Sequence, residues 1–307
     1  MAARRVLVTG WPSFLHGEAT AGDVLAMDAV RDALDAVGIP CDLAWSPVFR
    51  PGQRTLDDAA PAGYSHLVFA CGPAHGSQVA GLHERYRGCY RIAVGVSVPD
   101  PDSPAVTGFH VVLPRDAPGQ QARADLSATA VVPRVPVAGV ILAGDQPEYA
   151  GRGRHAQLTA ELGAWLATLD CAWIPLDTRL RPGDWRGPAT PGQVESAIAR
   201  TDVVVTTRLH GLVLALRSGV PALAIDPVTG GAKVAGQAAV WDWPVLLAAP
   251  GEPVLDRVEL DRRWDWCQSA AARARAATAR AGPPGPPLTT DLLAALASSL
   301  DNGGPAG

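Results

Sequence analysis

Three cationic side chains of different chemistry lie in one short stretch of the chain, between Asp202 and Lys233. Arg208 offers a planar guanidinium that can bind a carboxylate or a phosphate through two hydrogen bonds. His210, two residues later, can take up and release a proton near neutral pH. Lys233 is the only lysine of the chain, and its compact ammonium is not interchangeable with a guanidinium. These residue types predict an anion site with a proton-transfer group.

The same stretch predicts the elements that position these side chains. Apolar residues at 203–205 and 222–225 predict two buried strands, and apolar residues recur at helical spacing between them. A strand-helix-strand unit places the turn with Thr207, Arg208 and His210 at the carboxyl end of its first strand, where open parallel sheets bind their ligands. The helix after the turn adds unpaired backbone N–H groups and the positive end of its dipole.

These residues also have an ordinary structural interpretation, in which Arg208 forms a salt bridge and His210 caps the helix. Asp226 ends the second strand and Lys233 follows it, so both project to the same edge of the sheet as the Arg208 turn. This convergence of charged groups favours a functional site.

Strand and helix patterns alternate along the chain, which is typical of α/β proteins. The length of 307 residues favours two domains. We expect one α/β domain over residues 1–134, a second over 135–281, and a Pro/Gly linker, a terminal helix and a flexible tail over 282–307. Strands are predicted at 4–10, 41–45, 65–70, 91–98, 109–113, 136–143, 172–176, 203–205 and 222–225, and helices at 24–37, 155–169, 191–200, 264–280 and 288–300.

Composition excludes several classes of protein. A net charge of −4 gives no bulk attraction to nucleic acid or to an anionic membrane, and no apolar run reaches the roughly 18 residues of a membrane span. The five cysteines are scattered without a CxxC pair, which indicates free thiols in a reducing compartment. We expect a cytoplasmic protein, in solution or peripherally at the inner membrane face. Its oligomeric state does not follow from the sequence.

Several common catalytic motifs are missing from the sequence. Neither Gly10 nor Gly72 is followed by the GxGxxG pattern of a dinucleotide site, and no Walker A or GxSxG motif occurs. HxH, HExxH and CxxC spacings are also missing, so we expect no metal site and no nucleotide cofactor. The anion site around Arg208 remains the strongest chemical signal.

The run TTRLHGLVLALRSGVPALAID, with a lysine shortly after it, resembles the C-terminal signature of the polysaccharide pyruvyl transferase family. VVLPRD, which contains Arg115, is similar to the R-D element near the end of the family's first domain, and residues 16–30 resemble its N-terminal G-D loop. The stretch CGPAHG and the segment after Arg115 depart from the family pattern.

The resemblance implies a GT-B-like α/β fold of two Rossmann-like domains facing a cleft, with an acceptor side in the first domain and a donor side in the second. It implies transfer of a pyruvyl group, as a ketal, from phosphoenolpyruvate to a sugar, a glycan or a lipid-linked saccharide, without a metal or a bound cofactor. His210 takes the role of general acid and base. Arg208, Thr207, Arg115 and Lys233 are then expected to bind the donor.

Five further residues are candidates for the acceptor side. His16, Glu18 and Asp23 lie in the first loop, His75 lies in CGPAHG, and Glu148 follows the first strand of the second domain. They could orient or deprotonate a sugar hydroxyl. Ordinary loop and helix-capping roles are the alternative for each of them.

Two other functions fit the same pattern. A metal-independent GT-B glycosyltransferase that uses a nucleotide sugar would need an acidic residue, such as Asp226 or Glu148, to hold a ribose. A non-catalytic member of the fold would lack the convergence of basic residues.

Overall fold

The computed structural model describes residues 5–149, 151–283 and 285–301. The chain forms two compact units that divide after residue 133, whereas the sequence predicted a division after Arg134. The first residue of the predicted strand 4–10 and the predicted flexible tail over 302–307 lie outside the described residues.

The first unit is a parallel five-stranded sheet with helices on both faces. Its strand order is β2-β1-β3-β4-β5. The elements are β1 (Val6–Thr9), α1 (Ala21–Ala36), β2 (Cys41–Leu43), β3 (His66–Ala70), α2 (Gly76–Arg85), β4 (Tyr90–Ser97), α3 (Pro104–Thr107) and β5 (Val111–Asp116).

Alternate residues of β1 pack on opposite faces of this sheet. Val6 and Val8 belong to a cluster with Met27 of α1, while Leu7 belongs to the cluster that contains Val79 of α2. Both faces are therefore apolar, which explains why the strand sequence VLVT shows no alternation of polar and apolar residues.

The second unit contains another parallel five-stranded sheet, with the order β10-β9-β8-β6-β7. Its elements are β6 (Val137–Ile141), α4 (His155–Leu166), β7 (Ala172–Pro175), α5 (Pro191–Ile198), β8 (Val203–Thr206), α6 (Leu209–Arg217), β9 (Ala222–Asp226), α7 (Lys233–Val240), β10 (Val245–Leu247), α8 (Arg257–Gln268), α9 (Ala270–Ala279) and α10 (Leu288–Asp301).

The two sheets share one topology. In each unit the first strand lies between the second and the third, and the fourth and fifth strands follow on the side of the third. This order is that of a doubly wound α/β domain, whose ligands bind where the connections from the first and third strands diverge. The prediction of two Rossmann-like α/β units is confirmed.

The prediction of one continuous helix over 264–280 is wrong, because Ser269 interrupts the helix. This residue is extended, with φ −73° and ψ 157°, and its hydroxyl accepts a hydrogen bond from the backbone N–H of Ala272 at 3.1 Å. Ser269 therefore ends α8 and caps α9. Asp256 caps α8 in turn, accepting from the N–H groups of Val258 and Glu259, so this helix begins earlier than predicted.

In the part of the chain that is described, none of the helices combines the length and the apolar character of a membrane span.

Candidate functional site

The carboxyl ends of β6 and β8 form the divergence point of the second sheet. Leu158 of α4, the helix after β6, packs in one cluster with Val203 and Val205, whereas Leu212 of α6, the helix after β8, packs on the other face with Val204. The two connections therefore leave neighbouring strands toward opposite faces. A crevice between their loops is the expected ligand position in such a sheet.

Two buried threonines join the ends of these strands. The Thr206 hydroxyl donates to the carbonyl of Ile141 at 2.9 Å and accepts from the N–H of Arg208 at 3.0 Å. The Thr207 hydroxyl accepts from the N–H of Ala143 at 2.8 Å. The Thr207 oxygen that was predicted to bind a donor therefore holds the backbone beyond β6 in place.

Gly211 allows α6 to approach β8 closely. A Cβ at this position would lie 2.1 Å from the Thr206 Oγ1 and 3.2 Å from a side-chain carbon of Ile141, both of which are buried. A larger residue would push α6 away from the strand, and the turn that carries Arg208 and His210 would move with it.

Arg208 stands at the N-cap position of α6, with its side chain 18% exposed. Its Nη1 lies 3.6 Å from the Asp177 Oδ1 and donates to the Thr178 hydroxyl at 3.3 Å. Its Nε is buried and has no hydrogen-bond partner among the described residues. Part of the donor capacity of this guanidinium therefore remains open for a ligand.

His210 lies in the first turn of α6, where its side chain is exposed. Within the described ranges it makes no hydrogen bond or ion pair, and no side chain caps this helix. The capping role considered for His210 is therefore not what the structure shows. An exposed imidazole beside the amino end of a helix can exchange protons with a ligand bound there.

Lys233 is the first residue of α7. Its Nζ lies 3.6 Å from the Glu148 Oε1 and 5.5 Å from the centre of the Tyr149 ring. Glu148 and Tyr149 belong to the loop after β6. Lys233, at the start of the helix that follows β9, therefore contacts the loop after the first strand of the unit. Lys233 and the Arg208 turn thus follow neighbouring strands at one edge of the sheet.

Asp226 organises the amino end of α7. One of its carboxylate oxygens accepts from the N–H groups of Ala232 and Ala235, at 2.7 and 2.8 Å, and the other accepts from Val228 at 3.0 Å. The residue is 1% exposed. With both oxygens engaged and shielded from solvent, Asp226 has a structural role and offers nothing to a ribose.

His155 is a residue that the sequence did not single out. It begins α4, its side chain is 2% exposed, and its Nδ1 lies 4.0 Å from the Asp145 Oδ1. Its Nε2 has no hydrogen-bond partner in the described part of the chain. Burial lowers the pKa of His155, an effect that the nearby Asp145 partly opposes and that the charge of Lys233 reinforces.

Unpaired polar atoms recur at this edge of the second sheet. Four residues at this edge each have one buried side-chain atom without a hydrogen bond within the described ranges: Arg154, His155, Arg208 and Thr229. Buried polar atoms in folded proteins are rarely left unpaired, except where a ligand or water completes them. This edge is therefore the strongest candidate for a binding site.

Arg115, predicted to bind the donor, belongs to the first unit and is already paired there. Its guanidinium donates to Asp116 at 2.8 Å, to Asp125 at 2.6 Å and to the Ser97 hydroxyl at 2.6 Å. Hydrogen bonds from Ser127 and from Arg115 lower the pKa of Asp125 to about 2. An anion at Arg115 would have to compete with two carboxylates, and its role in donor binding stays a prediction.

The five candidates for the acceptor side have three different surroundings. Asp23 is the third residue of α1 and forms a reciprocal capping box with Thr20, so its carboxylate serves the helix. The side chains of His16, Glu18 and His75 are exposed, and none has a polar partner within the described ranges. Glu148 lies apart from them, in the second unit beside Lys233.

The described residues contain no group of three or more His, Cys, Asp or Glu side chains that could hold a metal ion.

Comparison with solved structures finds glycosyltransferases over nearly the whole chain, at low similarity. The spinosyn rhamnosyltransferase SpnG in complex with thymidine diphosphate is 15% identical, with 94% of this chain and 100% of that chain covered and a TM-score of 0.33. MurG of Acinetobacter baumannii is 13% identical, with 96% and 99% covered and a TM-score of 0.35. At TM-scores below 0.5, these similarities assign neither a donor nor an acceptor to this chain. No curated protein matches the chain.

A family model matches the part of the chain that contains Arg208 and His210. The match covers residues 181–227 and therefore also contains β8, α6 and β9. It contains the run TTRLHGLVLALRSGVPALAID of the sequence resemblance, whereas VVLPRD and residues 16–30 lie outside it. Residues 181–227 of this chain match the polysaccharide pyruvyl transferase family.

Proposed function

We propose that this protein transfers a pyruvyl group from phosphoenolpyruvate to a sugar or glycan hydroxyl. The observation that carries the proposal is the turn of Arg208 and His210, which lies inside the matched region and at the open amino end of α6. The family match supports a transferase, and the geometry of the turn supports an anionic donor.

Phosphoenolpyruvate suits the chemistry of this edge of the sheet. It carries a carboxylate and a phosphate, and the edge offers the Arg208 guanidinium, the first-turn amides of α6 and the Lys233 ammonium. Glu148 is the acidic group beside Lys233, and at 55% exposure of its side chain it can move aside when the donor binds. Charge-assisted hydrogen bonds and a helix amino end together favour a ligand with two anionic groups.

The reaction adds two acceptor hydroxyls to one carbon. The donor methylene takes up a proton, and the first hydroxyl bonds to the neighbouring carbon and loses its proton. The second hydroxyl then bonds to the same carbon as phosphate leaves with the electrons of its C–O bond, and the proton of this hydroxyl passes to the phosphate. In our proposal, His210 delivers the proton to the methylene and accepts one from a hydroxyl, while Arg208 and Lys233 balance the charge of the departing phosphate.

The alternative of a nucleotide-sugar donor has less support from the described residues. Asp226 was the acidic residue considered for a ribose, and its carboxylate is occupied by three backbone N–H groups. The other acidic residue considered, Glu148, is paired with Lys233.

The test is incubation of the full chain with phosphoenolpyruvate and a panel of sugar acceptors. We expect phosphate release that depends on the acceptor, together with a mass gain of one pyruvylidene group in one acceptor. A parallel thermal-shift series compares phosphoenolpyruvate with UDP- and GDP-sugars. Stabilisation by a nucleotide sugar alone, with no acceptor gaining the pyruvylidene mass, would overturn the proposal.

A further inference from the structure

A second feature of the second unit lies beside Arg208 and is not used by the proposed donor site. The loop after β7 and the first turns of α5 enclose an open cavity of about 880 Å³. Its lining includes Asp177, Arg181, Trp185 and Gln193. A volume of this size is typical of a site for a small organic ligand.

Trp185 gives the cavity an unusual surface. It is 92% exposed, and its indole makes no hydrogen bond or ring contact with any described residue. A tryptophan in this state leaves a large apolar face in water, with an N–H donor at its edge. The C–H bonds on one face of a pyranose ring carry partial positive charge, and they stack on the negative face of an indole.

The polar residues around Trp185 can bind hydroxyl groups. Gln193 accepts from the N–H of Ala189 through its Oε1 at 2.6 Å, so its amide N–H groups point to no described partner. Asp177 accepts from the N–H of Arg179 at 3.0 Å and has a second oxygen 3.5 Å from the Arg181 Nη2. Carboxylates, amides and guanidinium groups are the usual partners of sugar hydroxyls, since each hydroxyl both donates and accepts.

The charges of the lining balance each other, which separates this cavity from the donor site. Two carboxylates, of Asp177 and Asp184, face two guanidinium groups, of Arg181 and Arg186. At the edge with Arg208 and Lys233, by contrast, the Arg208 Nε has no partner in the described chain, and the carboxylate beside Lys233 is that of the exposed Glu148. A neutral polyol therefore fits the cavity better than a second anion does.

Asp177 connects the cavity to the donor side. Its Oδ2 faces Arg181 in the cavity, and its Oδ1 lies 3.6 Å from the Nη1 of Arg208. β7 pairs with β6, so the loop after β7 lies at the same edge of the sheet as the Arg208 turn. A ligand in the cavity is thus placed beside a ligand bound to Arg208.

We propose that this cavity is a saccharide subsite that holds the neutral acceptor glycan, with a pyranose ring stacked on Trp185. Its assignment to the acceptor rests on the proposed function. It places acceptor and donor in the second unit, whereas the sequence placed most acceptor candidates in the first.

The test measures binding of neutral disaccharides to the full chain without any donor. Isothermal titration and saturation-transfer NMR would use lactose, cellobiose and N,N′-diacetylchitobiose. We expect at least one of them to bind wild type, Trp185→Ala to weaken that binding about tenfold or more, and Trp185→Tyr to weaken it less. The matched control is Trp173→Ala, because Trp173 is a half-exposed tryptophan of β7 outside the cavity lining, and it should leave binding unchanged.

Two results would overturn the subsite: none of the three disaccharides binds wild type, or Trp185→Ala and Trp173→Ala have equal effects. The thermal shift caused by phosphoenolpyruvate is measured on the same proteins and should not change in Trp185→Ala. If that shift is lacking in wild type while disaccharide binding depends on Trp185, the donor assignment fails and the saccharide subsite stands.

Discussion

Arg115 and Arg208 each lie near the carboxyl end of a parallel strand, β5 at the border of the first sheet and β8 inside the second, and they differ in what surrounds them. Arg115, near the end of β5, donates to two carboxylates and a hydroxyl at 2.6–2.8 Å. Arg208, just after β8, has a hydroxyl at 3.3 Å, a carboxylate at 3.6 Å and an Nε without a partner in the described chain. One guanidinium is satisfied within its unit, and the other is held in place with part of its capacity unused.

This difference predicts a structural role for Arg115 and a ligand-binding role for Arg208. A buried donor without a partner costs folding free energy, about 1–3 kcal/mol in typical cases, and a ligand or a water molecule bonded to the Arg208 Nε would remove that cost. The carboxylates of Asp116 and Asp125 already neutralise Arg115. The predictions that follow set the two arginines, and the groups around them, against each other.

The largest effect is expected at His210. Replacing this exposed and unpaired imidazole with alanine removes the proposed proton-transfer group, and we expect pyruvyl transfer to fall about 10²–10⁴-fold while phosphoenolpyruvate binding changes little. Steady-state rates and a thermal shift with the donor measure the two effects separately. His210→Gln is the matched control and should be equally slow. Full transfer by either variant would remove His210 from the mechanism.

The next effect tests the two arginines directly. Arg208→Lys keeps the charge and loses the planar fork, so we expect phosphoenolpyruvate to bind about tenfold more weakly. Arg115→Lys should instead lower the free energy of unfolding of the first unit, because it loses the paired geometry with Asp116 and Asp125. Donor titration measures the loss of binding and chemical denaturation measures the loss of stability, and both are carried out on both variants.

An equal loss of donor binding in the two variants would break the comparison. It would mean that Arg115 leaves its carboxylates to bind the donor, as the resemblance to the family implied. If only Arg115→Lys loses stability and only Arg208→Lys loses donor binding, the comparison becomes sharper. Of the two arginines, Arg208 alone would then bind the donor.

The sequence predicted the Arg208 turn correctly because its signals are local. The apolar run of β8 and the helical spacing of α6 both depend on residues a few positions apart. The same kind of signal is missing for α7, which follows Gly230 and Gly231, both with φ above 80°. Its amino end is held by Asp226, a cap supplied from β9 and not from the preceding residues.

His155 could not be identified from the sequence for a related reason. Its burial depends on the loop after β6 lying against the loop after β9, where the N–H of Arg154 donates to the carbonyl of Pro227 and that of Thr229 donates to the carbonyl of Arg152. These contacts join residues far apart in the chain. Asp177 was missed likewise, because its proximity to Arg208 depends on the path of a loop rich in proline and glycine.

A smaller effect is expected at the pair of Lys233 and Glu148. Lys233→Met removes a cation from the proposed donor site, so we expect donor binding to weaken several-fold, by less than in Arg208→Lys. Glu148→Gln removes the competing anion, and binding should tighten about two- to threefold, as expected for a partly exposed pair. Donor titrations at low and high salt measure both changes. Unchanged binding in Lys233→Met would show that Lys233 makes no contact with the donor.

The last prediction concerns stability instead of donor binding, at the pairing that keeps Arg115 occupied. The pKa of Asp125 is lowered to about 2 in the folded protein, so its carboxylate stabilises the first unit above its unfolded pKa. That contribution, about 1–2 kcal/mol for a partly exposed group, should be lost as the pH falls from about 4 to about 2. Asp125→Asn should therefore be less stable than wild type at pH 7, and the two should converge in acid.

Asp57→Asn is the control, since Asp57 is an exposed partner of Arg85 and should show no such convergence. A difference between Asp125→Asn and wild type that stays constant with pH would mean that the carboxylate does not hold Arg115 electrostatically, and the contrast with Arg208 would then rest on packing alone.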